Sequence, residues 1–171
     1  MALLHALIIF MLMLWVGEST VTNASTDAVS AASVSRVEVV LGYQYRTREV
    51  EIKKEFLQVG LTNVHFQYAR MGQPPQNIGL GREVPAEKGR EAIRLAVKYN
   101  LGVGILLPER LFPPRFITIA SSNYDDTVEY HITQDTLSKL QDPTLSTEAF
   151  HRLYKDLTSA VIDPKAPKAR Y

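Results

Sequence analysis

The sequence predicts a single layered α/β domain with a mixed five-stranded sheet and about four helices, and α+β is the alternative class. Three observations predict it. Apolar and polar residues alternate from Val37, which is typical of a half-buried strand. Residues 85–99 carry an apolar stripe at helical spacing, and the run 103–107 that follows is apolar throughout. Strands that alternate with helices along a chain favour parallel strand pairs.

The first part of the domain is predicted to be a strand–helix–strand unit. Its strands are residues 37–45 and 63–69, and its helix is 48–59, which ends before Gly60. A crossover of this kind is right-handed and makes its two strands parallel. The alternative is that residues 48–59 form part of a hairpin, because Val50 and Ile52 also alternate with polar residues.

The next part contains the best-defined helix. Residues 71–84 are predicted to be a glycine- and proline-rich loop with a short extended piece around 77–80. Helix 85–99 follows, and we expect Asn100 to adopt the left-handed conformation that ends it. The run 103–107 is predicted to be a central strand, because it is apolar on both faces and stops at a proline.

The last part is predicted to be a hairpin followed by two helices. Residues 116–120 and 128–132 are its strands, joined by a polar loop. Helix 133–140 is expected to begin at a threonine cap, and helix 146–159 carries a clean apolar stripe. The predicted order is therefore βαβ, αβ, β-hairpin, αα.

The remaining segments are assigned from their composition. Residues 1–24 are predicted to be a signal peptide or an N-terminal anchor, because 2–16 is an almost unbroken apolar run, shorter than the ~20 residues that a spanning helix needs. Residues 25–35 are predicted to be a flexible linker, 36–160 the α/β domain, and 161–171 a disordered basic tail. We expect an exported protein, periplasmic or extracellular, or else one held at the membrane by its N-terminus.

The amino-acid composition excludes several classes of partner and of reactive site. The chain has 171 residues, 46% of them hydrophobic and 22% charged, with a formal net charge of +1. That balance does not indicate a nucleic-acid partner, which would need a clustered basic face. The chain has no cysteine, so disulfides and thiolate chemistry are excluded. No histidines are spaced as a local metal motif, and the sequence predicts neither a metal site nor a cofactor.

A catalytic hypothesis centres on the polar loop 121–127. Ser121, Ser122 and Asp125 lie in it, and His131 follows in the next predicted strand. A histidine beside a hydroxyl and a carboxylate is the arrangement of a nucleophilic hydrolase or transferase. Serine and aspartate are also the residues that a turn needs for its own main chain, so this assignment competes with a purely structural one.

A second polar set lies on the predicted outward faces of two strands. His65 and Gln67 belong to one strand, and Glu129 and His131 to the other. If these strands are neighbours with one face uncovered, the four side chains form a polar patch able to bind a metal or to act as acid and base. The alternative is a set of unconnected, solvated residues.

The loop of residues 109–115, Glu-Arg-Leu-Phe-Pro-Pro-Arg, is the best candidate for contact with another protein. Prolines stiffen it, so presenting Leu111, Phe112 and Arg115 to a partner costs little entropy. The alternative is that the two apolar side chains fold over the edge of the sheet and shield it.

These observations give three functional hypotheses. The first is an exported, non-enzymatic binding or protein-interaction domain that uses the 109–115 loop. The second is a hydrolase or transferase that uses a histidine with the loop 121–127. The third is a structural protein anchored in the membrane by residues 2–16.

Overall fold

The alternating and helical patterns become five strands and four α-helices within residues 33–122 and 132–160, the part of the chain that the computed structural model describes. The strands are β1 Arg36–Gly42, β2 Val64–Ala69, β3 Asn77–Leu80, β4 Ile105–Leu107 and β5 Phe116–Ile119. The helices are α1 Glu49–Gln58, α2 Ala86–Tyr99, α3 Gln134–Leu140 and α4 Thr147–Ala160. Two 3₁₀ helices, Tyr43–Arg48 and Glu109–Leu111, complete these elements.

The strands form one mixed sheet in the order β2-β1-β5-β3-β4. β1 is parallel to both β2 and β5, whereas β3 is antiparallel to β5 and parallel to β4. The predicted α/β class and the mixed five-stranded sheet are therefore confirmed. The sheet contains two strand–helix–strand crossovers, one through α1 and one through α2.

The first crossover forms as predicted. Val37 pairs with Val64 and Val39 with Phe66, and the helix between them buries Ile52 and Phe56. The helical interpretation of residues 48–59 is thus confirmed over the hairpin. β1 is shorter than predicted, because the chain turns into a 3₁₀ helix after Gly42 instead of staying extended to residue 45.

The second strand of the predicted hairpin, residues 128–132, lies outside the described part of the chain except for Ile132. The neighbours of β5 that the structure describes are β1 on one side and β3 on the other. The fifth strand is β3, in the segment predicted to be a loop with a short extended piece. All four β3 residues are buried. Residues 123–131 lie outside the described part of the chain, and Ile132 donates its N–H to the Gly104 carbonyl at 2.7 Å.

The apolar run 103–107 had predicted a central strand, but β4 lies at the edge of the described sheet. Its three residues are nevertheless buried, because α4 packs along it. The buried Tyr154 hydroxyl of α4 donates to the carbonyls of Leu107 at 2.8 Å and Ile78 at 3.2 Å. Burial raises the pKa of Tyr154 well above its ordinary range, so the hydroxyl stays a donor.

One face of the sheet carries the core. Val37, Val39 and Leu41 of β1 point into it, under α1 and α2. Gly89 of α2 lets the Phe150 ring of α4 approach closely, since a Cβ there would lie 2.7 Å from that ring. The opposite face, which we call the outer face, carries the polar residues of the alternation, which are Glu38, His65, Gln67 and Thr118.

Two helices begin at side-chain caps, and the end of a third helix differs from the prediction. Thr133 caps α3 as predicted, because its hydroxyl accepts the Thr136 N–H at 3.2 Å. Ser146 caps α4 by accepting the Ala149 N–H at 3.2 Å. After α2 the left-handed residue is Leu101, with φ 60°, and not Asn100.

No helix within residues 33–122 and 132–160 is long and apolar enough to span a bilayer, and the run 2–16 lies outside these ranges.

Replacing Leu101 with glycine is expected to stabilise the protein. A left-handed conformation costs an L-residue roughly 1–2 kcal/mol, and glycine loses about 0.5–1 kcal/mol through its extra freedom when unfolded, so the net gain is about 0–1.5 kcal/mol. The Leu101 side chain is 66% exposed, so little packing is lost. Urea unfolding of the full chain measures the gain, and Leu101→Ala, which keeps the strain, is the control. Equal stability of the two variants would contradict the prediction.

Candidate functional site

The 109–115 loop is short, and internal hydrogen bonds hold its shape. Pro108 introduces a 3₁₀ turn, in which the Leu111 N–H donates to the Pro108 carbonyl and the Phe112 N–H to the Glu109 carbonyl, both at 3.1 Å. Phe112 then returns to extended backbone. The loop is therefore not extended throughout, as its prolines had predicted, but turns once before it joins β5.

Two glycines of the β3 region let this loop lie directly on the sheet. At Gly79, a Cβ would fall 2.3 Å from the Phe112 ring. At Gly81, a Cβ would fall 2.0 Å from the Pro113 carbonyl oxygen. Phe112 also stacks on Phe116, with ring centroids 6.0 Å apart. The Gly-Leu-Gly sequence at 79–81 thus seats the loop on the outer face.

The His151 side chain ties the loop to two other elements. Its Nδ1 hydrogen-bonds to the Glu109 carboxylate, and its Nε2 donates to the Val84 carbonyl at 2.6 Å. It therefore joins α4, the 3₁₀ turn and the segment after β3. Each ring nitrogen is therefore already engaged with an oxygen of the protein.

A cleft of about 500 Å³ opens beside the loop, where these three elements meet. We call it the basic cleft. It is lined by Arg82, Pro108, Glu109, Arg110, Phe112, Pro114, Lys155, Thr158 and Ser159. A volume of this size is typical of ligand sites.

Three cations from three different elements line the basic cleft. Arg82 follows β3, Arg110 lies in the 3₁₀ turn and Lys155 lies in α4. Neither Arg110 nor Lys155 has an ion-pair partner within residues 33–122 and 132–160, and Arg82 is 3.9 Å from Glu83. Elsewhere on the surface, some cations are paired with carboxylates, such as Lys98 and Arg152 at 2.7 and 2.8 Å, whereas others, such as Lys53 and Arg70, have no ion-pair partner within the described residues. Arg110 and Lys155 therefore bring two unpaired positive charges to the cleft.

The residues predicted for protein contact differ in their environments. Leu111 is 44% exposed, whereas Phe112 is half-buried against Gly79 and shields the sheet, as the alternative had predicted for both side chains. Arg115 is exposed, with its Nε 3.5 Å from a carboxylate oxygen of Glu83. The loop therefore combines one exposed apolar residue with one that anchors it.

The predicted polar patch is present only in part. His65 and Gln67 are exposed on the outer face, and His65 Nε2 lies 3.0 Å from Asn63 Oδ1. Glu129 and His131 lie outside the described residues.

The predicted catalytic loop is only half described. Ser121 is buried, and its main-chain N–H and carbonyl bond to the Asn77 side chain at 2.8 and 3.0 Å. Ser122 is exposed, and both serines line a cleft of about 200 Å³ on the outer face. Asp125 and His131 lie outside the described residues, so their pairing with either serine stays a prediction.

Sequence reasoning missed most of the basic cleft. The 109–115 loop was predicted, but Arg82 and Lys155 were not connected with it, because they lie far from it along the chain. One signal existed: His151 and Lys155 are four residues apart, which places them on one face of α4. Within the described residues, no group of three or more histidines and carboxylates is placed to hold a metal ion.

Comparison with protein-family models, with curated proteins and with solved structures found no match. The functional conclusion therefore rests on the geometry of the loop and the basic cleft.

Proposed function

We propose that this chain is an exported, non-enzymatic binding domain that holds a segment of a partner protein at the 109–115 loop. The observation that carries the proposal is the exposure of Leu111 on a turn whose neighbours are fixed. Hydration of the exposed part of this leucine is unfavourable, and contact with a partner would remove that part from water. The export part of the proposal rests on the apolar run 2–16 and its resemblance to a signal-peptide core.

The loop is fixed on both sides of Leu111. Phe112 is held by the glycine-bearing strand β3 and by Phe116, and Glu109 is held by His151. A surface that is ordered before binding loses little conformational entropy when a partner docks. This preorganisation supports a binding role for the loop.

At the basic cleft itself, the hydrogen bonds of His151 and Glu109 support a binding role over a catalytic one. His151 and Glu109 are engaged with each other, and the second ring nitrogen is engaged with Val84. A general base needs a free lone pair directed at the substrate. The pair therefore supports a structural role in shaping the loop.

Replacing Leu111 with serine is expected to weaken binding of a partner segment by about tenfold to a hundredfold, because burying a leucine contributes about 1.5–3 kcal/mol. The probe is a random peptide library displayed on phage and selected on the full chain. Affinities of synthetic copies of the enriched peptides are then measured by fluorescence anisotropy.

The matched control is Leu57→Ser, since Leu57 of α1 is also 44% exposed but lies away from the loop. The proposal fails if no peptide is enriched on the wild-type chain. It also fails if the Leu111 and Leu57 variants bind the enriched peptides equally well.

A further inference from the structure

The exposed Leu111 is not among the residues that line the basic cleft, but it lies between Arg110 and Phe112 in the chain, and both of these line it. A segment of several residues that covers Leu111 is therefore close enough to reach the cleft. The charge of the cleft then decides which segment is accepted.

Two of the three cations that line the cleft, Arg110 and Lys155, have no ion-pair partner among the described residues, whereas Arg82 lies 3.9 Å from Glu83. Glu109, the one carboxylate among the lining residues, is bonded through Oε1 to His151. Like charges in a concavity repel one another and focus the field on whatever enters. A bound anion relieves that repulsion.

The lining also has an apolar wall. Pro108, Phe112 and Pro114 form it, next to the cations. A bare inorganic anion would use the charges and leave this wall in contact with water. An acidic peptide uses both, because its carboxylates face the cations while a neighbouring apolar side chain covers the wall.

We propose that the basic cleft binds the carboxylates of an acidic segment of the partner protein, with Arg110 and Lys155 as the main contacts. This inference rests on the proposed function and names the chemistry of its ligand. Complementary charge provides the specificity and the association rate, while Leu111 provides apolar contact. Both cations are exposed, so removing them leaves the fold intact.

The test runs the same phage selection in parallel on the wild-type chain and on the double variant R110A/K155A. We expect peptides rich in aspartate and glutamate from the wild type only. Synthetic copies of those peptides should bind the double variant about tenfold more weakly or worse, because charge-assisted contacts are lost. Their affinity for the wild type should fall as salt is added.

Two further variants separate charge at the cleft from charge in general. K139A/R152A removes the same number of cations from paired sites outside the cleft and should bind like the wild type. R110K/K155R keeps both charges and should therefore retain the electrostatic part of the affinity. Circular dichroism and thermal unfolding confirm that each variant is folded.

The possible failures are distinct. If peptides are enriched and depend on Leu111, but carry no excess of carboxylates or bind R110A/K155A unchanged, the acidic-segment inference is wrong and the proposed function stands. If copies with phosphoserine in place of glutamate bind much more tightly, the carboxylate assignment is wrong. If a single-stranded DNA oligonucleotide binds the wild-type cleft more tightly than the peptides do, a peptide is not its ligand.

Discussion

Replacing Gly81 with alanine is expected to destabilise the protein by about 3 kcal/mol, at the upper end of the cost of overpacking. The added Cβ would lie 2.0 Å from the Pro113 carbonyl oxygen and 2.5 Å from that of Pro114. Both are main-chain atoms, so they move only if the loop moves. Such a movement also strains the bonds from Gly81 N–H to Phe116 and from Glu83 N–H to Pro114, which are 2.8 and 2.7 Å long.

The control for Gly81→Ala is Gly42→Ala. A Cβ at Gly42 also meets close atoms, but the three nearest belong to the exposed side chain of Gln44, which can move away. We expect that change to cost less than about 1 kcal/mol. Urea unfolding of both full-length variants measures the difference, and equal losses would show that the loop is not seated on Gly81.

Two glycines explain why strand β3 was hard to predict. Gly79 and Gly81 indicate a loop when they are considered locally, because glycine disfavours strands. Their actual role is to make room for Phe112 and for the Pro113 carbonyl, which lie more than thirty residues further along the chain. A strand of four residues has too little length for periodicity to identify it.

Elements with a long local pattern were predicted well. β1, α1, α2 and α4 each carry an alternation or a stripe that one sheet face or one helix face explains. Strand position within the sheet was not predictable in the same way. β4 is apolar on both faces, which favours a central strand, but it lies at the edge of the described sheet and is buried by α4.

The candidate site was predictable only through its loop. Leu111, Phe112 and Arg115 are close in sequence, and the prolines beside them indicate a stiff segment. Arg82 and Lys155 reach the same cleft from distant positions, and no spacing rule joins them to Arg110. The charge of the site depends on the tertiary fold, which brings distant residues together, whereas the exposed leucine of the loop follows from the local sequence.

Replacing Asn77 with alanine is expected to destabilise the protein by about 2–5 kcal/mol, because each buried polar group that loses its partner costs about 1–3 kcal/mol. Asn77 is fully buried, and its side-chain amide serves both main-chain groups of Ser121. It continues the pairing of β3 with β5 beyond Ile119, next to Ala120, which has φ 60°. Alanine leaves the N–H and the carbonyl of Ser121 without this partner.

Asn100 offers a matched control, since it is 3% exposed and neither polar atom of its amide has a hydrogen-bond partner within the described residues. Asn100→Ala should therefore cost less than about 1 kcal/mol, as no such bond is lost. Equal losses from Asn77→Ala and Asn100→Ala in urea unfolding would contradict the pairing role of Asn77.

Asn77→Asp tests the direction of each bond separately. The introduced carboxylate can still accept the Ser121 N–H, but it opposes the Ser121 carbonyl oxygen, so the ionised form is destabilised in the folded state. Burial raises the pKa of that carboxyl, and its protonated form can donate to the carbonyl. The variant should therefore regain stability relative to wild type as the pH falls through that raised pKa. A stability difference that stays constant with pH would mean that Asn77 fills space without ordering the end of β5.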